Sequence, residues 1–235
     1  MPGQTLEIEI GEILAGSWGW TEAGGWDHEV NRRLGLVDER CQLHWNIDTG
    51  TGRATNQHGH TVALRPFMGV MGMPPAEAGT HATSPPRVTG GNIDCKELTA
   101  GTSLFLPVAV PGGLFSTGDG HAAQADGEVG ETAIECPISR CDLTFVVHPE
   151  LSISTPRART ANAWLTFGFH EDLNEAMLLA LDAMLTLMGE QYGMARSEAL
   201  AMAGIVVDLR ITQVANGVKG VHAVLPHAAI HSDGR

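Results

Sequence analysis

Up to about residue 160, no apolar stretch of this chain runs far before Gly, Pro, Asn or Asp interrupts it; only beyond that point does a helical periodicity take hold. The interrupted part contains five short apolar segments, 6–14, 61–64, 103–108, 131–134 and 142–147, each of strand length. Leu6-Glu7-Ile8-Glu9-Ile10 alternates with period two, as a strand with one buried face requires. Short strands at this spacing specify a sandwich or barrel. The 29 glycines supply the turns and close backbone approaches of such an architecture. Two long connections, 74–91 and 116–130, are costly to order unless they carry function.

The C-terminal part reads differently. A strand is expected over 163–168, followed by a long helix over 171–191. Along that helix Leu173, Ala176, Met177, Ala180, Leu181, Met184, Leu187 and Met188 recur at three- and four-residue steps. Glu171 and Asp172 suit its positive end and Gly193 its termination; the methionines read as core packing, not as a cofactor stripe. A second helix over 197–203 ends at Gly204. Segments 205–214 and 218–225 then form a hairpin about Asn216-Gly217, a strong turn signal. The tail from residue 227 reads as frayed. The expected fold is thus β-rich α+β: a β-sandwich or barrel-like domain over 1–160 carrying the site, and an α+β portion over 161–235 containing one long helix.

Fourteen Lys and Arg stand against 27 Asp and Glu, a formal net charge of −13. No basic surface remains to neutralise phosphates, which argues against nucleic acid or anionic membrane as partners and for a neutral or cationic small molecule. No apolar run approaches the roughly 18 residues a membrane helix needs. The opening ten residues lack the charged-then-apolar layout of a signal peptide. The four cysteines (Cys41, Cys95, Cys136 and Cys141) show no CxxC spacing. Cys136 and Cys141 are near enough to pair across a turn, but free thiols in a soluble, cytoplasmic protein are the expectation.

The densest cluster of reactive groups is Ser116-Thr-Gly-Asp119-Gly-His121-Ala-Ala-Gln124-Ala-Asp126-Gly-Glu128. One imidazole and three carboxylates, separated by Gly and Ala, form a low-bulk frame for a metal or for acid–base work. The spacing is neither that of an EF-hand nor a zincin HExxH, and an Asp/Gly turn followed by solvated acids is the plainer alternative. Thr89-Gly-Gly-Asn92-Ile-Asp94 is a second candidate: the Asn92 amide could steady an oxyanion and Asp94 could act as ligand or base, or both belong to an ordinary turn. Glu135, in an apolar stretch, is expensive to bury unless paired or bound to metal, and otherwise faces solvent. His58 and His60 have ligand-like spacing but read as bystanders in a polar loop, and the roles of Trp18, Trp20 and Trp26 stay open. There is no Gly-x-Ser-x-Gly elbow, P-loop or GxGxxG after a strand. Cys95, Lys96 and Glu97 are adjacent, which counts against a thiol amidase because those roles come from distant positions.

Four segments together resemble the acetamidase/formamidase family. They are Pro66-Phe-Met-Gly-Val-Met-Gly72, Pro85-Pro-Arg-Val-Thr-Gly-Gly-Asn92-Ile-Asp94, the stretch 98–110, and Leu114-Phe-Ser-Thr-Gly-Asp-Gly-His-Ala-Ala-Gln-Ala-Asp-Gly-Glu128. Leu209-Arg-Ile-Thr-Gln-Val214 looks like the family's C-terminal part, so the resemblance spans roughly 62–226. It implies a β-rich fold with a helical C-terminal part and hydrolysis of short amides, formamide or acetamide, with a divalent metal. Members carry a further segment upstream of the opening strand, so an N-terminally shortened member is expected. A non-catalytic paralogue binding a small molecule or a partner subunit is the alternative.

On that resemblance Asp94, His121 and Glu135 are the expected ligands of a divalent metal, zinc first and calcium second. Asp119, Asp126 or Glu128 would move the proton to the leaving ammonia and Asn92 would bind the carbonyl oxygen. A ligating His121 must be neutral, so metal affinity should fall as pH drops through an imidazole pKa of about 6.5. A homodimer or larger symmetric assembly is expected, covering apolar surface that the family's upstream segment would otherwise cover.

Overall fold

The computed structural model describes residues 1–231. Its backbone is organised around one seven-stranded antiparallel sheet in the order β10-β1-β8-β11-β12-β14-β13. The strands are β1 (Thr5–Ala15), β8 (Ser103–Pro107), β10 (Ile138–His148), β11 (Arg157–Arg159), β12 (Ala163–His170), β13 (Asp208–Gln213) and β14 (Lys219–Pro226). β11 and β12 pair across residue 160, so the sheet runs unbroken from the interrupted half of the sequence into the helical half.

Alternation in β1 has the expected result: Leu6, Ile8 and Ile10 are buried on one face. There they meet Leu104 and Leu106 of β8, Leu165 and Phe167 of β12, and Met68 and Met71 of a small second sheet. That sheet has the order β7-β6-β9, from β6 (Phe67–Gly72), β7 (Gly90–Asn92) and β9 (Ser116–His121). A four-stranded meander, β2 (Trp18–Ala23), β3 (Cys41–Asp48), β4 (Arg53–Asn56) and β5 (Thr61–Ala63), packs Trp45, Ile47 and Ala54 against Ala122 and Ile134.

Helix α2 (Leu173–Tyr192) follows the short α1 (Glu29–Leu34), and α3 (Arg196–Val206) follows α2. Asp172 caps α2, accepting from the amides of Asn174 and Glu175, and Gly193 ends it in the left-handed region at φ 67°. Its stripe of Ala176, Ala180, Met184, Leu187 and Met188 is buried against Val221, Ala223 and Leu225 of β14. Burying each of the larger side chains contributes about 1.5–3 kcal/mol. The helix sits close: a Cβ on Gly168 of β12 would lie 2.5 Å from the Ala180 amide nitrogen, and the Thr166 hydroxyl donates to the Ala180 carbonyl at 2.8 Å.

The expected β-rich α+β class with one long helix is therefore observed, its strands spread over three sheets. Three local expectations are corrected. Residues 131–134 are irregular and not a strand, because this segment pairs mainly through the single residue Glu135. The connection from 116 begins as β9, since Ser116–His121 zips onto β6. The helix ending near 203 runs on to Val206, so the following strand starts at Asp208. Of the expected frayed tail, 227–231 lacks regular structure and the rest lies outside the described residues.

Candidate active site

Antiparallel register on β6 and β9 places Phe67 opposite His121 and Val70 opposite Gly118, which sets Gly69 facing Asp119. Asp94 is the second residue after β7, and its amide is fixed by the Gly69 carbonyl at 3.2 Å. Glu135 bridges two sheets, pairing with Trp20 of β2 on one side and with His121 on the other. The loop bearing Glu128 is stitched to β13 by a parallel bridge between Gly127 and Gln213. Five groups distant in the chain, Asp94, Asp119, His121, Glu128 and Glu135, thus converge.

His121 is their centre, only 1% exposed. Its Nε2 lies 3.3 Å from Asp119 Oδ1 and 3.3 Å from Glu135 Oε2. On the other ring edge, Nδ1 meets Gln124 Oε1 at 2.9 Å and stands 3.9 Å from Asp94 Oδ1. Phe67 closes one face, its ring edge-on at 5.0 Å. Asp94, Asp119 and Glu128 all adopt positive φ, at 51°, 61° and 43°. Non-glycine residues hold that conformation at a cost, and such strain clusters where geometry serves function. Gly69 leaves the space the carboxylates occupy: a Cβ there would fall 2.5 Å from both Asp119 Oδ2 and Asp94 Oδ1.

The electrostatics follow from burial and crowding. Burial opposes charge on the His121 ring, but hydrogen bonds to Asp119 and Glu135 prevail and push its pKa up to about 11. Burial and the neighbouring Asp94 charge push Glu128 up to about 9, so it is a neutral acid at pH 7. Burial also raises Asp94 to about 6. Asp119, although partly desolvated, is held low by its hydrogen bond to His121.

The donor chemistry fits a cation. Asp94, His121 and Glu128 form one group with ligand atoms within 4.8 Å of one another, and Asp119, His121 and Glu135 form another. Asp94 Oδ1 is buried with no hydrogen-bond partner among the described residues. An orphaned carboxylate oxygen beside an imidazole and further carboxylates is a donor set for a divalent metal.

The sequence pattern of the acetamidase/formamidase family matches residues 76–228, well over half of the chain and all of this site except Gly69 and Phe67. The chain belongs to that family. An acetamidase from Mycolicibacterium smegmatis is 51% identical over 47 residues, 20% of this chain and 12% of the relative. A formamidase from Methylophilus methylotrophus is likewise 51% identical over 47 residues, with the same coverage of 20% and 12%. The stretches matched in these curated relatives therefore span about an eighth of their length. The crystal structure of an acetamidase from Bacillus halodurans is 28% identical, with a TM-score of 0.87 over 96% of this chain and 74% of that one.

Within this acetamidase/formamidase family member, the residues expected from the sequence separate into two groups. Asp94, Asp119, His121, Glu128 and Glu135 meet, with Asp94 and Glu135 at opposite ring nitrogens of His121. Asp126 points elsewhere: Arg210 of β13 holds it at 2.8 Å through Nε, and Lys96 at 3.1 Å. Those cations outweigh its partial burial and lower its pKa. Asn92 lies on β7 with its Oδ1 buried and unpartnered among the described residues. His58 and His60 are exposed in the β4–β5 turn. All four cysteines are free, and burial pushes the Cys95 thiol well up, which removes it as a nucleophile.

Three contributors escaped the sequence reading. Gln124 accepts from the His121 edge and donates to the Asp94 carbonyl at 2.8 Å, and its position three residues after His121 was the available signal. Asn216 donates to Asp94 Oδ2 at 2.5 Å, but its sequence context announces only a turn. Gly69 shows its purpose only when β6 is paired with β9.

Proposed function

We propose that this site hydrolyses short linear amides, formamide or acetamide among them, to carboxylate and ammonia. The observation that carries the reading is Glu128, a buried carboxyl kept neutral at pH 7 beside ionised Asp119 and the charged ring of His121. Carboxyl groups whose environments push them apart divide into acid and base. Glu128 is the acid and gives its proton to the leaving nitrogen. Asp119, exposed enough to reach solvent, takes a proton from the attacking water, and Glu135 shares that work through the same ring nitrogen. The free side-chain oxygen of Asn92 suits an acceptor for the substrate amide N–H.

A divalent cation fits among Asp119, His121 and Glu135, which leaves Glu128 free as the acid, or among Asp94, His121 and Glu128, which does not. In either group His121 ligates after giving up its proton, zinc being the first choice and calcium the second. Held there, a cation would supply Lewis-acid polarisation of the amide carbonyl and a more acidic water. Gln124 and Asn216 hold Asp94 and His121 in place for it. The unpaired thiols support a reducing, cytoplasmic location, and the described residues contain no helix long and apolar enough to cross a membrane.

Self-association belongs to the same proposal. β13 is an edge strand that exposes Leu209 and Ile211 beside Val129, and an apolar edge is a template for a second copy of the chain. Light scattering at micromolar concentration tests it, a dimer or larger species being expected and a monomer counting against it.

Ammonia release from formamide and acetamide, with and without chelator, tests the activity. Turnover lost on chelation and restored by zinc supports the reading. Turnover indifferent to chelation removes the metal role, and no turnover of metal-loaded protein on a broad amide panel removes the enzyme.

A further inference from the structure

Behind Asp94 the chain buries a second set of reactive groups that the amide chemistry leaves unused. Cys95, Glu97 and His222 are 1%, 8% and 0% exposed. Their ligand atoms all lie within 4.8 Å of one another. Cys95 Sγ is 3.3 Å from Glu97 Oε2, and His222 Nε2 is 3.7 Å from the same oxygen. A tetrahedral zinc ion, with Zn–S of about 2.3 Å and Zn–N or Zn–O of about 2.0–2.2 Å, sets its donors roughly 3.3–3.6 Å apart. The observed separations already approach that spacing.

His222 supplies the independent sign. Its Nδ1 shares a hydrogen bond with the Thr212 hydroxyl at 2.8 Å, which fixes the ring and turns Nε2 toward Glu97. That Nε2 is buried with no hydrogen-bond partner among the described residues, and it is aimed at the Glu97 carboxylate. A buried ring nitrogen without a hydrogen-bond partner is rare, and a cation between it and the carboxylate satisfies both groups. A hydroxyl partner on the far ring nitrogen is also the outer-shell arrangement that orients a ligating histidine. Glu97 is held in the same way: Arg210 takes its Oε1 at 2.8 Å and leaves Oε2 to face the thiol and the imidazole.

We propose that Cys95, Glu97 and His222 form a second metal site, for a borderline divalent cation of the zinc class, distinct from the carboxylate-rich site around His121. Thiolate, imidazole and one carboxylate select zinc over magnesium or calcium, which favour oxygen donors alone. Binding exchanges the Cys95 thiol proton for the ion, so the thiol is released as thiolate only where the metal holds it. A cavity of about 540 Å³, lined by Lys96, Glu97, Thr102, Arg210 and Val224, borders the Glu97 side of the cluster. The bound ion joins the segment after β7 to β14, and so braces Asp94 from behind.

Cobalt(II) added to the metal-free full chain tests the proposal, because a thiolate–cobalt bond gives a near-ultraviolet charge-transfer band that an oxygen and nitrogen shell does not. Wild-type protein is expected to show the band by two equivalents, when both sites are filled, and Asp94→Asn to keep it. Cys95→Ala and His222→Gln, each checked for fold by circular dichroism, are expected to lose it. No band in folded wild-type protein, or a band unchanged in Cys95→Ala, overturns the assignment. If both variants unfold, X-ray absorption on zinc-saturated wild-type protein decides: a sulfur scatterer at about 2.3 Å supports the site, and a shell of nitrogen and oxygen alone rejects it.

Discussion

Asn216, in the turn between β13 and β14, donates its side-chain amide to Asp94 Oδ2 at 2.5 Å, joining residues 122 positions apart in sequence. Asp94 has positive φ and its other oxygen is unpartnered, so this bond fixes the rotamer of a carboxylate that burial would otherwise drive to protonate. Asn216→Ala is expected to lower metal affinity or turnover by about 10–100-fold, the usual cost of losing an outer-shell partner. The same change should raise the pH at which activity appears, because Asp94 loses a bond that favours its charged form. A turnover profile against pH that is unmoved in Asn216→Ala would refute the positioning role.

Gly69→Ala places a methyl 2.5 Å from Asp119 Oδ2 and Asp94 Oδ1. Overpacking of this kind costs about 1–3 kcal/mol. The carboxylates have to separate to admit it, so activity should fall far more than melting temperature does. Paired measurement of amide turnover and thermal unfolding checks this, and equal loss in both would show a purely structural glycine.

Metal binding at the His121 site should release protons. In the metal-free protein the ring carries a proton up to about pH 11, whereas a ligating imidazole must be neutral. Below pH 11 the cation therefore competes with a proton, and affinity should rise with pH across the neutral range. The window lies well above the one an unperturbed histidine would give. Calorimetric titration of zinc in buffers of different ionisation enthalpy reads the proton count directly, and a count of zero would exclude His121 as a ligand.

Glu7 of β1 gives a prediction about stability alone. Burial works against its charge, but hydrogen bonds from His148, at 2.7 Å, and from Ser103 hold its pKa below 4.5. A depressed folded-state pKa means that the unfolded chain takes up the proton first. The stabilisation is complete above about pH 4.5 and drains away as pH falls through the folded value. Glu7→Gln should flatten the acid limb of a urea-midpoint curve while leaving amide turnover at pH 7 unchanged.

Much of the site was legible because its chemistry is local in sequence. Asp119, His121 and Glu128 come from one Gly- and Ala-spaced run, and Asp94 from a second short motif. What sequence could not show was direction. Asp126 sits between His121 and Glu128, yet its carboxylate turns to Arg210, a strand partner that only the tertiary fold brings near. The meander of β2 to β4 escaped notice for a related reason. Its residues alternate in burial, but His, Asn, Gln and Thr share the strands with Trp45 and Ile47, so the apolar alternation that announces β1 is diluted there. Helix α2 was plain because its period, its acidic cap and its terminal glycine all agree.

The clasp between Asn216 and Asp94 also imposes an order in time. A chain emerging from the ribosome presents Asp94, Asp119, Glu128 and Glu135 before β12, β13 and β14 have been made. Until the last hairpin arrives, the edge of β12 has no neighbour and the crowded carboxylates have no amide to steady them. Long-range strand pairing closes slowly because loop entropy is lost before contacts repay it. The reactive centre is therefore completed last, and a nascent chain halted before residue 208 carries the acidic groups of the site without their geometry.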